Sequence, residues 1–258
     1  MACKEEKSFE CSSLPPCVVL VHGFFMWGGN MRYLAQTLKQ RGYHTFSPTL
    51  PTRFRNLCDC AGSLTLMLED RFPEGSVVHF VGHSMGGLII REYLSRKVVE
   101  DLGRVVLIGT PNGGSPYADL LLSGLPFSEQ ILKALPDLAE PGPDIPPPLN
   151  VPAPEIGIII GIRPDPVRQA LLPGEHDGLV PSKSVRNVAA NDELTIPCAH
   201  ERLHWRPDTA DAVALFLETG SFNSKAITSM PNGTVAADLL TRTTQSRLQW
   251  KTNHLTTF

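Results

Sequence analysis

Short apolar, β-branched runs alternate with longer segments of helical period along most of the chain. Residues 17–21, Cys-Val-Val-Leu-Val, read as a buried strand closed by the turn His22-Gly23. Residues 30–41 bring Met31, Leu34, Ala35 and Leu38 onto one helical face, with Gly42 just past its end as a C-cap, and 43–46 read as the next strand. The pattern then predicts a helix over 64–71, a strand over 77–81, and a helix over 87–99 with Leu88, Ile89 and Leu94 available to a core. Strands over 104–109 and 156–162, a short last strand over 194–196 and a final helix over 209–217 complete the series. Such alternation implies an α/β fold, a mostly parallel sheet with helices on both faces.

Two stretches break the alternation. Residues 112–150 hold a leucine-rich helical section containing Leu120, Leu121, Leu122, Leu125, Phe127, Ile131, Leu132 and Leu135. A run with Pro141, Pro143, Pro146, Pro147 and Pro148 follows. This helical and proline-rich stretch is expected to lie over one edge of the sheet as a lid-like insertion. Beyond Gly220 the chain is rich in Ser, Thr and Asn, with isolated apolar residues such as Leu239, Leu240 and Trp250. The expected organisation is a flexible N-terminus over 1–14, one domain over 15–220 and a flexible tail over 221–258.

Composition narrows the setting. A chain of 258 residues, 42% of them hydrophobic, can bury one substantial core, so disorder of the whole chain is excluded. With 23 basic against 26 acidic residues the formal charge is −3, which supplies no global field toward nucleic acid. Six scattered cysteines do not make a disulfide framework, and a reduced setting is expected. Glu5, Glu6 and Glu10 interrupt what would have to be the apolar run of a signal peptide, and Ala2 excludes N-myristoylation. No apolar run approaches the roughly 20 residues that span a bilayer, so a soluble, cytoplasmic protein without a cofactor is expected.

The strongest chemical signal is Gly82-His83-Ser84-Met85-Gly86, directly after one predicted strand and before a helix. A serine at so tight a strand-to-helix turn needs neighbours nearly free of side chains two residues away on either side. Gly82 and Gly86 supply that, and the turn places the Ser84 hydroxyl at the carboxyl edge of the sheet, with the helix behind it favouring a developing oxyanion. The bland alternative for such a pentapeptide is a chance turn.

His22-Gly23-Phe24 after an early strand, the Gly-His-Ser-Met-Gly-Gly elbow, Asp177-Gly178-Leu179-Val180-Pro181 and a late histidine together resemble the α/β-hydrolase superfamily, its lipase and esterase branch, over about residues 15–220. The resemblance implies the chain order nucleophile, acid, base. Asp177, in a glycine-flanked turn after the strand at 156–162, is then the expected acid, with Glu175 as the alternative and a solvated turn as the bland reading. Both His200 and His204 follow the last strand. The segment from His200 to Phe216-Leu217 resembles the corresponding stretch of small bacterial-type lipases, which favours His200 as base and leaves His204 as the alternative. The resemblance also implies an oxyanion hole from the backbone amides of Phe24 and Met85. The implied activity is cleavage of carboxylic esters of an apolar or lipid substrate. The insertion and Phe24, Phe25, Met26 and Trp27 are expected to shape an apolar acyl pocket, with peripheral membrane contact through the lid. A catalytically silent, ligand-binding member of the same fold is the rival reading.

His200-Glu201-Arg202-Leu203-His204 also spells the zinc-protease pattern H-E-x-x-H. That motif needs a helix, and Pro197 and Pro207 bracket the segment, so the metal reading is set aside. Cys58-Asp59-Cys60 does not close a metal site, and Asn232-Gly233-Thr234 is a glycosylation sequon that matters only in a secreted protein.

Overall fold

The computed structural model describes residues 14–124, 128–162, 172 and 174–223. Six strands, β1 (Cys17–Val21), β2 (His44–Phe46), β3 (Val78–His83), β4 (Leu102–Ile108), β5 (Ile156–Gly161) and β6 (Asp192–Ile196), form one sheet in the order β2-β1-β3-β4-β5-β6. Every neighbouring pair is parallel. The helices are α1 (Arg32–Gln40), α2 (Leu57–Leu68), α3 (Met85–Leu94), α4 (Pro116–Gly124), α5 (Ser128–Ile131), α6 (Leu135–Leu138), α7 (Ser182–Val185) and α8 (Pro207–Thr219).

Strand β1 shows why the expected class is the observed one. Successive side chains of a strand point to opposite faces. Cys17, Val19 and Val21 join a core with Leu57, Leu64, Leu88 and Ile89 of α2 and α3, whereas Val18 and Leu20 join a second core with Leu34, Leu38, Val213 and Phe216 of α1 and α8. Helices cover both faces, so all five positions of β1 are buried and the strand is apolar throughout instead of alternating.

The helix predicted over 64–71 begins instead at Leu57. Its start is fixed by Asn56, whose side chain accepts a hydrogen bond from the Asp59 amide at 2.8 Å, a cap that satisfies one of the free donors of the first turn. Cys58, Asp59 and Cys60 therefore lie on a helix: Cys58 is exposed beside Arg96, and Cys60 is buried, its thiol pushed up to about 12 by burial.

The described part of residues 112–150 is joined to the rest of the domain by packing and by hydrogen bonds. Ala118, Ala134, Leu135, Leu138 and Ile145 belong to the α2–α3 core. Asp137 accepts from the Leu57 amide at 2.7 Å, and Asn150 exchanges two hydrogen bonds with the Val99 backbone at 2.8 and 3.2 Å. The domain also runs past Gly220. Phe222 stacks on Phe216 at 4.8 Å, and Asp192 accepts from the Ser221 hydroxyl and the Phe222 amide. Residues 1–13 and 224–258, including the sequon at Asn232, Leu239, Leu240, Trp250 and His254, lie outside the described residues. Among the described residues no helix is long and apolar enough to cross a membrane.

Candidate active site

Ser84 sits between β3 and α3 with φ 54° and ψ −128°, a left-handed backbone angle that a residue with a side chain adopts only under restraint. The restraint is visible on both sides. The Ser84 amide donates to the Ile108 carbonyl at 2.8 Å. A Cβ on Gly82 would stand 2.5 Å from the Gly87 nitrogen, and one on Gly86 would strike the Val21 carbonyl. The turn thus closes only with glycine at both places, as the pentapeptide predicts.

Asp177 and His200 follow β5 and β6. The His200 Nδ1 donates to Asp177 Oδ2 at 2.6 Å, and both side chains are buried. The other carboxylate oxygen, Oδ1, accepts from the amides of Leu179 at 3.0 Å and Val180 at 2.8 Å. The His200 amide in turn donates to the Asp177 carbonyl at 3.0 Å. The carboxylate is therefore held by three donors, and the imidazole is held in the tautomer that leaves Nε2 with its lone pair. Asp177 is the partner of His200; Glu175 faces Arg186 at 3.7 Å and is half exposed.

His83, adjacent to Ser84, ties the elbow to the histidine loop, since its Nε2 meets the His200 carbonyl oxygen at 3.1 Å. His204 also packs on His83, with ring centroids 4.2 Å apart, against 5.0 Å between His83 and His200. The His83 Nδ1 and both His204 ring nitrogens find no hydrogen-bond partner among the described residues. Burial, followed by the charge of His200, pushes the His204 imidazole down to about 3; burial, followed by His204 and His200, holds His83 well below the ordinary histidine value. The segment His200–Trp205 is a 3₁₀ helix. With three residues per turn, positions four apart do not share a face, so H-E-x-x-H does not form the zinc geometry that an α-helix would give it.

The loop after β1 brings Gly23 against the elbow: a Cβ there would stand 3.0 Å from the Ser84 Cβ. The Gly23 carbonyl is fixed by three donors, His22 Nδ1 at 2.9 Å, the Thr52 hydroxyl at 3.3 Å and the Met26 amide at 3.3 Å. His22 Nε2 accepts from the Leu50 amide at 2.9 Å, and burial holds this imidazole below its ordinary value, hence neutral. The Gly23 carbonyl and the Phe24 N–H belong to one planar trans peptide, so fixing the first orients the second in the opposite direction. The chain's pattern marks His22-Gly23 as a turn and as part of the resemblance, and His83 as the neighbour of Ser84; it marks neither Thr52 nor Leu50. Of the aromatic group, Phe24 packs against the core, whereas Phe25 and Trp27 are 48% and 59% exposed. A groove of about 580 Å³ between α2 and α3, lined by Arg55, Cys58, Tyr93 and Arg96 among others, contains none of the candidate site residues.

Comparison with known proteins places the fold. The model of the alpha/beta hydrolase family matches residues 18–250. The mature form of the Bacillus licheniformis lipase BlEst2 is similar over 80% of this chain and 92% of its own, with a TM-score of 0.64 and 21% identity. The metagenomic carboxyl esterase MGS0156 is similar over 73% of this chain and 65% of its own, with a TM-score of 0.56 and 17% identity. The esterase EaEST from Exiguobacterium antarcticum is similar over 79% and 92%, with a TM-score of 0.56 and 14% identity. A search of curated protein sequences gives no match. These likenesses share the fold, and the match of the family model over most of the chain means that this protein belongs to the alpha/beta hydrolase family.

Proposed function

We propose that the protein is a serine hydrolase that cleaves carboxylic esters of an apolar acyl or lipid substrate through an acyl-enzyme. The observation that carries this reading is the buried His200–Asp177 pair, 2.6 Å apart, tied through His83 to an elbow that holds Ser84 at a positive φ. Ser84 is the nucleophile, His200 the base and Asp177 the acid that fixes the tautomer of the base. The Ser84 hydroxyl attacks the ester carbonyl as His200 Nε2 takes its proton. The amides of Phe24 and Met85 donate to the oxyanion of the tetrahedral intermediate, and His200 returns the proton to the leaving alcohol. Water, deprotonated by His200, then attacks the acyl-enzyme and releases the acid. The exposed Leu120, Ile131 and Leu149 of the insertion are the side chains through which contact with a lipid surface would be made.

The test is labelling with a fluorophosphonate probe together with hydrolysis of short p-nitrophenyl esters, in the wild type and in Ser84→Ala. The wild type is expected to label and to hydrolyse, and the folded variant to do neither. Labelling that persists in folded Ser84→Ala would sink the serine mechanism. A wild type that neither labels nor hydrolyses would point to a silent, ligand-binding member of the family. Activity lost with a chelator and indifferent to the probe would bring the zinc reading back.

A further inference from the structure

Beside the candidate oxyanion loop stands a cation held between two aromatic rings. The Arg53 guanidinium lies 4.6 Å from the Phe25 ring centroid and 5.2 Å from that of Phe54. Both rings are largely open to solvent, at 48% and 62% exposure. No carboxylate pairs with Arg53 among the described residues, in contrast to Arg41, Arg55, Arg96, Arg104, Arg186 and Arg206, each of which has an acidic partner. A long cationic side chain ordinarily samples many rotamers; contact with two aromatic rings restricts them without using up its N–H donors.

The location is as informative as the packing. Thr52, the residue before Arg53, donates to the Gly23 carbonyl, and Gly23 lies against Ser84. Phe25 is two residues beyond Gly23, so its Cα stands within about 8 Å of the Gly23 Cα. Phe25 also has φ 60°, a strained angle for an aromatic residue, and such strain persists where the surroundings over-determine a position. The cation thus lies on an aromatic residue of the loop that abuts Ser84.

We propose that Arg53 is a substrate-binding residue that selects esters carrying an anionic group, a carboxylate or a phosphate, remote from the scissile carbonyl. The guanidinium fork matches either anion with two parallel N–H donors. The apolar part of such a substrate would pass Phe25 and Phe54, which makes the favoured class an amphiphilic acid ester, not a wholly neutral one. This inference rests on the hydrolase reading above and names its substrate class.

The test compares mono-p-nitrophenyl sebacate, which ends in a carboxylate, with its methyl ester, in the wild type, Arg53→Gln and Arg53→Lys. The expected result is a wild-type preference for the free acid in kcat/KM that falls at least about tenfold in Arg53→Gln, carried by KM. Arg53→Lys, which keeps the charge and loses the fork, should fall between the two. Added salt should weaken the preference in the wild type and leave Arg53→Gln unmoved. The same comparison between dihexanoylphosphatidic acid and dihexanoylglycerol, read as fatty-acid release, distinguishes a phosphate-bearing lipid from a carboxylate-bearing ester; a fall in either pair supports the proposal. A wild type that cleaves both members of each pair, with ratios that Arg53→Gln does not change, overturns the proposal alone. A wild type that cleaves none of the four overturns the hydrolase reading and this proposal with it.

Discussion

The Thr52 hydroxyl donates to the carbonyl oxygen of Gly23 at 3.3 Å, on a loop whose next amide is that of Phe24. Because one peptide plane carries both groups, a threonine far away in sequence orients an amide proposed to meet the oxyanion. Thr52 is fully buried, and valine has nearly its shape without the donor. Thr52→Val is therefore expected to lower kcat for a p-nitrophenyl ester by roughly threefold to tenfold, with KM nearly unchanged. A loss in KM with kcat intact would mean that Thr52 shapes the binding of the ester and not the transition state.

Both carboxylate oxygens of Asp177 are engaged: Oδ2 by His200, Oδ1 by two amides of its own loop. Asp177→Asn keeps the volume and replaces one oxygen with a donor, which turns the imidazole to the wrong tautomer. The expected fall in kcat is about 10⁴-fold. Glu175→Gln removes only a solvent-exposed ion pair with Arg186 and should stay within about twofold of wild type. Equal losses in the two variants would reinstate Glu175 as the acid.

The two loop histidines make a matching contrast. His200 has a carboxylate on Nδ1, whereas neither ring nitrogen of His204 has a partner among the described residues. A base without an orienting acid is held in no particular tautomer. His200→Ala is expected to be as inactive as Ser84→Ala, and His204→Ala to keep at least about a tenth of wild-type turnover. The reverse order, measured on folded variants, would make His204 the base.

Element type and sheet membership were legible from the chain because both faces of the sheet are covered, so β1 and β5 are apolar throughout and β4 ends in the buried apolar run Val105–Ile108. Boundaries were less legible where a polar side chain sets them. Asn56 starts α2 at Leu57, but its neighbours Cys58 and Asp59 gave no helical period to read. The same division runs through the site. Ser84 carries a steric signature in its flanking glycines, whereas the proposed acid and base carry none of their own: chain order narrows them to Asp177 or Glu175 and to His200 or His204. Thr52 and Leu50 act through a hydroxyl and a backbone amide brought in from the loop after β2, and no local pattern marks such partners. The end of the domain was read at Gly220, where the left-handed C-cap indeed stops α8, yet the chain turns back far enough for Phe222 to cover Phe216 and Gly157.

That contact makes a prediction of its own. Phe222 is half-buried against Phe216, and Asp192 fixes its amide at 2.8 Å. Phe222→Ala is expected to destabilise the fold by about 1–3 kcal/mol, read as a lower urea midpoint with unchanged m. Ester hydrolysis should persist at temperatures where the variant is folded, since nothing in the contact touches the site. A variant as stable as wild type would show that the domain ends at Gly220.

The histidine stack should make the protein sensitive to mild acid. His204 is pushed down to about 3 by burial and by His200, whereas in the unfolded chain it titrates near the ordinary value of about 6.5. Above about pH 6.5 both states are neutral at this position, and its contribution to stability is fully present. As the pH falls from there toward 3, the unfolded chain binds a proton that the folded one refuses, so stability declines across that window. His79, pushed down to about 4 by burial and then by Arg104, adds a loss of the same sign between about 6.5 and 4. Substituting His204→Phe keeps a ring to pack on His83 and removes the titrating group. Urea midpoints measured every half unit from pH 7.5 to 5 should therefore fall more steeply for the wild type than for His204→Phe. The wild type should lose about 2 kcal/mol relative to His204→Phe over that range. Parallel curves would mean that His204 takes up its proton as readily in the folded as in the unfolded chain, against the depression that burial imposes.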